Sequence, residues 1–223
     1  MDDGKVNAID AEWCAELGAA LDRIEGDPSA TAVVLCGRPG CFSAGLDRKR
    51  LPTLSAPDLR ATTQAFVAGM ERVFLFPKPV VAASQGHALA GGLMLLLAAD
   101  LRIGLDDDGS RYGLPEVTQG IPVIGPTAAI CAAGIPPAHH AELLLHGRRL
   151  SAREAFERGL LHELADDADA LERRALERAR GLRELDPAAY RATKRALRSP
   201  LLDAARAAAT TVSGDLPNGN PFR

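Results

Sequence analysis

The stretch KPVVAASQGHALAGGLMLLLAAD, residues 78–100, decides how the rest of the chain is read. After Pro79, the residues Val80, Val81 and Ala82 form an apolar run long enough for a buried strand. Gln85 to Ala90 then reads as a small, flexible turn. From Gly91 the pattern Gly-Gly-Leu-Met-Leu-Leu-Leu-Ala-Ala is apolar on every side, which predicts a fully buried helix. It is far too short to span a bilayer. A buried helix opened by paired glycines begins with N–H groups that have no intrahelical acceptor. The missing side chains let a ligand approach that backbone closely, and the helix dipole adds partial positive charge there. Such a start can hold a developing oxyanion. By itself the stretch also fits an ordinary core helix entered through a flexible turn.

The chain around it has 223 residues, 47% of them hydrophobic, enough for one sizeable domain or a domain with a small appendage. A net charge of −3 gives no electrostatic basis for a nucleic-acid or membrane partner. Cys14, Cys36, Cys41 and Cys131 have no CxxC spacing, and Cys36 and Cys131 read as reduced core thiols. His139-His140 has no third ligand in sight, so no metal is expected. Asp106-Asp107-Asp108 lacks the spaced ligands and closing Glu of a calcium loop and reads as a solvated turn. The first residues, Met1-Asp2-Asp3-Gly4-Lys5, carry no apolar signal segment, so a cytoplasmic protein is expected.

Local patterns predict the other elements. Asp10 caps a helix with Trp13, Leu17, Leu21 and Ile24 at helical spacing, stopped by Gly26-Asp27-Pro28. TAVVLC, 31–36, is a buried-type strand, and 101–105 is a second short one. Asp58 is expected to cap a helix carrying Leu59, Phe66, Met70, Val73 and Phe74. Short helices are expected over 127–134 and 138–146, and Ser151 with Glu154 forms a capping box. The remainder reads as charged helices over 169–182, from Asp186-Pro187 to Leu197, and over 201–212. A mobile tail, 218–223, follows. Strands in the first half and helices in the second imply a mixed α/β core, residues 1–160, and a helical C-terminal region, 161–223.

Four segments occur in order: FSAGLD (42–47), KPVVAASQGHALAGG (78–92), YGLPEVTQGI (112–121) and GRRLSAREAFERGLL (147–161). Together they resemble the crotonase superfamily, which includes enoyl-CoA hydratases and isomerases, and the likeness runs from Gly4 to Lys194. The resemblance implies a spiral of ββα units with a C-terminal helical region that assembles trimers, often paired into hexamers. It implies acyl-CoA thioester substrates and no cofactor, coenzyme A being part of the substrate. It implies that two backbone N–H groups, of Leu46 and Gly91, hold the thioester oxygen as an enolate forms. Substrate contacts are expected at Ser43, Ala44, Gly45, Asp47, Gly92, Met94 and Gly113. Arg48, Lys49 and Arg50 either meet the CoA phosphates or form a solvated basic turn.

Hydratases of the family use two glutamates. Here the position on the buried helix is Met94, and the Pro-Glu of the third segment supplies Glu116. A thioether cannot exchange a proton. One carboxylate is enough to move a proton between C2 and C4 of an enoyl thioester, so the pattern is similar to that of Δ3,Δ2-enoyl-CoA isomerases. The alternatives are an enoyl-CoA hydratase and a crotonase-fold acyl-CoA-binding protein without turnover. Glu142 reads as an ion-paired structural residue, His87 as a hydrogen-bonded structural histidine, and Asp47 and Asp100 as turn or capping residues. Two departures from the family remain. The first strand is short or missing, and the loop after Glu116 lacks consecutive glycines, so the acyl pocket is expected to be shaped differently.

Overall fold

A computed structural model of the protein describes residues 6–212; the expected mobile tail, 218–223, lies outside them. A two-residue strand β1 (Ala8–Ile9) stands where a first strand was expected to be short or missing. Asp10 accepts a hydrogen bond from the Trp13 N–H and so caps α1 (Ala11–Gly26), which buries Cys14, Leu17 and Leu21. Three strand–strand–helix turns then follow. The first is β2 (Val33–Cys36), β3 (Gly40–Ser43) with the short β4 (Gly45–Leu46), and α2 (Ala56–Phe74). The second is β5 (Val80–Ser84), β6 (Gly86–Leu89) and α3 (Gly91–Ala98). The third is β7 (Leu101–Leu105), β8 (Tyr112–Gly113) and α4 (Gly125–Gly134). After them come β9 (Arg149–Leu150), α5 (Ala152–Glu157), β10 (Glu163–Ala165), α6 (Ala168–Gly181) and α7 (Pro187–Val212).

The first strand of each turn joins one sheet, ordered β10-β7-β5-β2 and parallel throughout. The second strand of each joins another, β3-β6-β8-β9, in which only β9 is antiparallel. The chain therefore spirals, as the resemblance implied. Every residue of β5 and of α3 is buried. Such all-apolar segments suit a parallel strand covered on both faces and a helix held between α2 and α4. The expected boundary at residue 160 is crossed by the sheet, because β10 pairs with β7. On the far face of that sheet α6 packs Leu171, Ala175 and Ala179 against Val81, Ala83 and Ile103. Among the described residues no helix is long and apolar enough to cross a membrane.

Several expectations need correction. Residues 85–90 are no flexible turn. Gly86–Leu89 is β6, held between β3 and β8, and a Cβ on Gly86 would fall 2.0 Å from the Gly40 carbonyl carbon. Small residues there serve close backbone packing, which a search for hydrophobic runs does not detect. The cap of α2 is Ser55, whose side chain accepts from the Asp58 N–H, so the helix starts one turn earlier than expected. Residues 138–146 form a 3-10 turn (Pro137–His139) and a π-helical turn (Ala141–Leu145) instead of an α-helix. The last two expected helices are one, with Pro200 inside. Tertiary anchors hold that helix despite the proline. Lys194 and Arg198 meet the Asp100 carboxylate at 2.7 and 2.9 Å, and Leu202 is buried.

Candidate active site

Four parts of the fold converge on a cavity of about 310 Å3. β4 and the turn after it contribute Leu46 and Arg48, α2 contributes Thr63, Phe66 and Val67, and the start of α3 with the residue before it contributes Ala90, Gly91 and Met94. The segment after β8 contributes Glu116, Gln119 and the run Ile121, Pro122, Val123, Ile124. The glycine-poor loop thus supplies an apolar wall. A larger hollow of about 500 Å3 opens between the end of α1 and the start of α7. Its carboxylate, Glu25, is ion-paired to Arg72, and its Lys78 amine donates to the Ile24 and Asp27 carbonyls.

The approach of two backbones shapes the first cavity. Gly45, at φ +83°, lies so close to α3 that a Cβ on it would fall 2.6 Å from the Gly91 nitrogen. The peptide that carries the Leu46 N–H therefore lies beside the first residue of α3. Nothing caps that helix through a side chain, and Ala90 before it holds φ 52° and ψ −131°, a strained backbone for a residue with a Cβ. A Cβ on Gly91 would fall 2.9 Å from the Phe66 ring, so glycine there is required by packing as well as by access.

Glu116 is placed by a tight turn in which its carbonyl accepts from the Gln119 and Ile121 N–H groups, both at 2.9 Å. The residue is only 8% exposed. One carboxylate oxygen, Oε2, is buried with no hydrogen-bond partner. Burial pushes its pKa up to about 7, against a small opposing effect of its own backbone N–H. A buried acceptor with no partner is costly, and here it faces a cavity with apolar walls.

Of the expected site residues, Leu46, Gly91, Met94 and Glu116 line the cavity. Ser43, Ala44, Gly45, Asp47, Gly92 and Gly113 are absent from its wall. Ser43 is buried and bonded to Asn7 and Gly45, and Asp47 accepts the Lys49 and Arg50 N–H groups. A Cβ on Gly92 would fall 2.1 Å from the Ser43 oxygen, and one on Gly113 3.0 Å from the Arg148 oxygen. Asp47 lines a neighbouring hollow with Asp10, Arg50 and Leu51. Of the basic turn, Arg48 reaches the cavity while Arg50 is paired with Asp10. His87 accepts the Arg111 N–H through Nδ1, a structural bond as expected. Asp100 accepts the Val80 N–H at 2.7 Å and so ties α3 to β5. Thr63, Phe66, Val67 and Gln119 were not singled out as site residues. Phe66 was visible as part of the apolar side of α2, but periodicity does not separate a core-facing ring from a cavity-facing one.

A model of the enoyl-CoA hydratase/isomerase family matches residues 1–216. The chain belongs to that family, in the crotonase superfamily. A putative enoyl-CoA hydratase of Thermus thermophilus is 38% identical over 169 residues, 74% of this chain and 66% of that protein. A carnitinyl-CoA dehydratase of Proteus mirabilis is 34% identical over 77% of this chain and 65% of its own length. The match thus spans slightly less than two thirds of either relative. Two structures of one Mycobacterium tuberculosis protein superpose with TM-scores of 0.87 and 0.85, at 28% and 29% identity. They cover 96% and 97% of this chain, and this chain covers 89% and 92% of theirs. That protein is described once as a probable enoyl-CoA hydratase and once as an enoyl-CoA isomerase.

Proposed function

We propose that this enoyl-CoA hydratase/isomerase family member is a Δ3,Δ2-enoyl-CoA isomerase. In this reading the thioester oxygen of an acyl-CoA is held by the N–H groups of Leu46 and Gly91, whose neighbourhood is supported by the close approach of Gly45 to the start of α3. Glu116 takes a proton from C2 of a 3-enoyl thioester, the electron pair passes into the enolate, and the same carboxyl returns the proton at C4. The observation that carries the reading is the single buried carboxylate. Among the residues lining the cavity Glu116 is the only acid, and its unpartnered oxygen and pKa near 7 suit a group that both takes and gives a proton at neutral pH. In this reading no cofactor is needed, since coenzyme A is part of the substrate, and Arg48, which lines the cavity, meets its phosphates.

Hydration is the second reading, favoured by the names of the Thermus and Proteus relatives. It requires a water held between two carboxyl groups, and the second position is Met94, 5% exposed. Incubation with 3-enoyl-CoA and, separately, 2-enoyl-CoA decides between them. The isomerase reading expects interconversion without a change of mass, resolved by chromatography. Efficient formation from 2-enoyl-CoA of a product heavier by one water would overturn it. Binding of both thioesters without conversion would favour a binding protein.

The same reading includes assembly into homotrimers, or hexamers, through the C-terminal helices. Of the leucines on those helices, Leu171 and Leu202 are buried within the protomer, whereas Leu176, Leu197 and Leu201 are 38%, 69% and 44% exposed. The exposed three support a subunit contact. Sedimentation as a monomer at micromolar concentration would refute it.

A further inference from the structure

Among the described residues, two non-glycine positions hold a positive φ, and each stands behind one of the proposed oxyanion donors. Ala90, at 52°, directly precedes Gly91. Asn7, at 49°, is far from Leu46 in sequence yet bonded to the turn that carries it. Asn7 is 1% exposed, and its Nδ2 donates to the Cys41 carbonyl at 3.1 Å and the Phe42 carbonyl at 3.0 Å. The Asn7 carbonyl accepts from the Ser43 hydroxyl at 2.7 Å, and the Ser43 oxygen accepts from the Gly45 N–H at 3.1 Å. The chain on either side is tied down too. Ala44 N–H donates to the Val6 carbonyl and Asp47 N–H to the Ile9 carbonyl, bracketing the β1–β4 pairing in which Ile9 faces Leu46.

We propose that Asn7 and Ser43 are positioning residues for the Leu46 N–H, holding it against the start of α3 so that it and the Gly91 N–H address one oxygen. The proposal rests on the reading of those two groups as the oxyanion donors. The amide of Asn7 fixes the end of β3, and the Ser43 hydroxyl passes that position to Gly45, one peptide before Leu46. Ser43 cannot give way toward α3, since Gly92 there leaves no room for even a Cβ. Asparagine is among the few residues that tolerate a positive φ, and its carboxamide is needed here as well. An oxyanion donor works only within a narrow distance range, so a small shift of this turn costs carbonyl polarisation before it costs the fold.

The test uses a saturated thioester, which binds without turnover. Hexanoyl-CoA labelled with carbon-13 at the thioester carbonyl is bound to the protein, and its carbonyl stretch is followed by isotope-edited infrared difference spectroscopy. In the wild type the stretch should move to lower frequency on binding. Ser43→Ala and Asn7→Ala should lose much of that shift, and kcat should fall about tenfold or more while KM changes little. Asn7→Gly, which accepts a positive φ but has no amide, should not restore the shift, and Ser43→Cys should give an intermediate one. Folded Ser43→Ala that keeps the full shift and kcat overturns the role of Ser43, and Asn7→Gly that keeps them overturns that of Asn7. If neither alanine variant folds, Ser43→Cys and Asn7→Gly decide by the same readouts. A wild type without any shift removes the donor reading itself, an outcome distinct from either.

Discussion

Glu116 and Glu142 are the same side chain in two surroundings. Glu142 lies in the π-helical turn, pairs with Arg148 and Arg158, and has His139 at 3.6 Å. The hydrogen bond from Arg158, with help from Arg148, holds its carboxyl below the usual range. Glu116 makes no ion pair among the described residues, keeps one oxygen unbonded, and is pushed up to about 7 by burial. Partners turn the first into a strut that stays charged at any neutral pH. Their absence gives the second both protonation states under the same conditions. The difference lies in where arginines are placed, which no feature of either glutamate's immediate sequence announces.

The contrast is tested most severely by Glu116→Gln. The amide is nearly isosteric but cannot shuttle a proton, so turnover should fall by about 10^3–10^4-fold, the upper end for general acid–base groups, with acyl-CoA binding kept. The variant should also change the pH dependence of stability. The folded-state pKa of Glu116 is raised, so its neutral form is the favoured one. Below about pH 4.5 the wild type bears no cost, and as pH rises through about 7 it loses stability to a buried charge. Glu116→Gln escapes that loss, so its melting temperature relative to wild type should rise between pH 4.5 and 8.5. The ceiling is roughly 3 kcal/mol, less the cost of burying an amide. A variant that still isomerises at full rate would end the single-carboxylate mechanism.

Met94→Glu puts a second carboxylate where the cavity now has a thioether. Burying it on an all-apolar helix should cost about 1–3 kcal/mol, read as a lowered denaturation midpoint. If its absence is what withholds hydration, some hydration of 2-enoyl-CoA should appear. Two carboxyls in one cavity should also push each other's pKa further up. A stable variant with no hydration would place the block in the apolar wall, Ile121 to Ile124, that leaves water no room.

A smaller effect follows from the titration of Glu116 in the wild type. The base must be ionised to take the first proton, so kcat/KM should rise with pH up to an apparent pKa near 7 and then level off. On the acid limb the change should approach about tenfold per pH unit. A profile flat from pH 5 to 8 would mean that burial does not raise the pKa of this carboxylate in the free enzyme.

Elements marked by strong local chemistry were legible in the sequence. Asp10, the capping box at Ser151 and Glu154, and the all-apolar α3 each fall where expected. Gly91 was legible from the glycine-opened helix, and Leu46, Met94 and Glu116 from the family resemblance of the four segments; all four line one cavity. What stayed hidden depends on pairing across long separations. β6 is made of Gly, His, Ala and Leu and exists because β3 and β8 flank it. The bonds of the Ser43 hydroxyl to Asn7 and Gly45 were hidden for the same reason, since Asn7 lies 36 residues away. α7 runs through Pro200 because Asp100, far back in the chain, holds Lys194 and Arg198.

The smallest expected effect belongs to Glu142→Gln, and it sharpens the comparison from the other side. The folded-state pKa of Glu142 is lowered, so its contribution to stability is present above the ordinary carboxylate range and is lost as pH falls through the folded value. Glu142→Gln should therefore melt slightly below wild type at pH 7, and the two should converge in acid, opposite in sign to Glu116→Gln. Exposed ion pairs contribute little, and Arg148 keeps a second partner in Glu154, so the network loosens without failing. Turnover should stay within about twofold of wild type, as for a surface substitution. High salt should shrink the melting difference further, since screening weakens the same pairs in the wild type. A Glu142→Gln protein that folds and melts normally but loses most of its turnover would show that the paired carboxylate, not the orphaned one alone, takes part in the proton transfer.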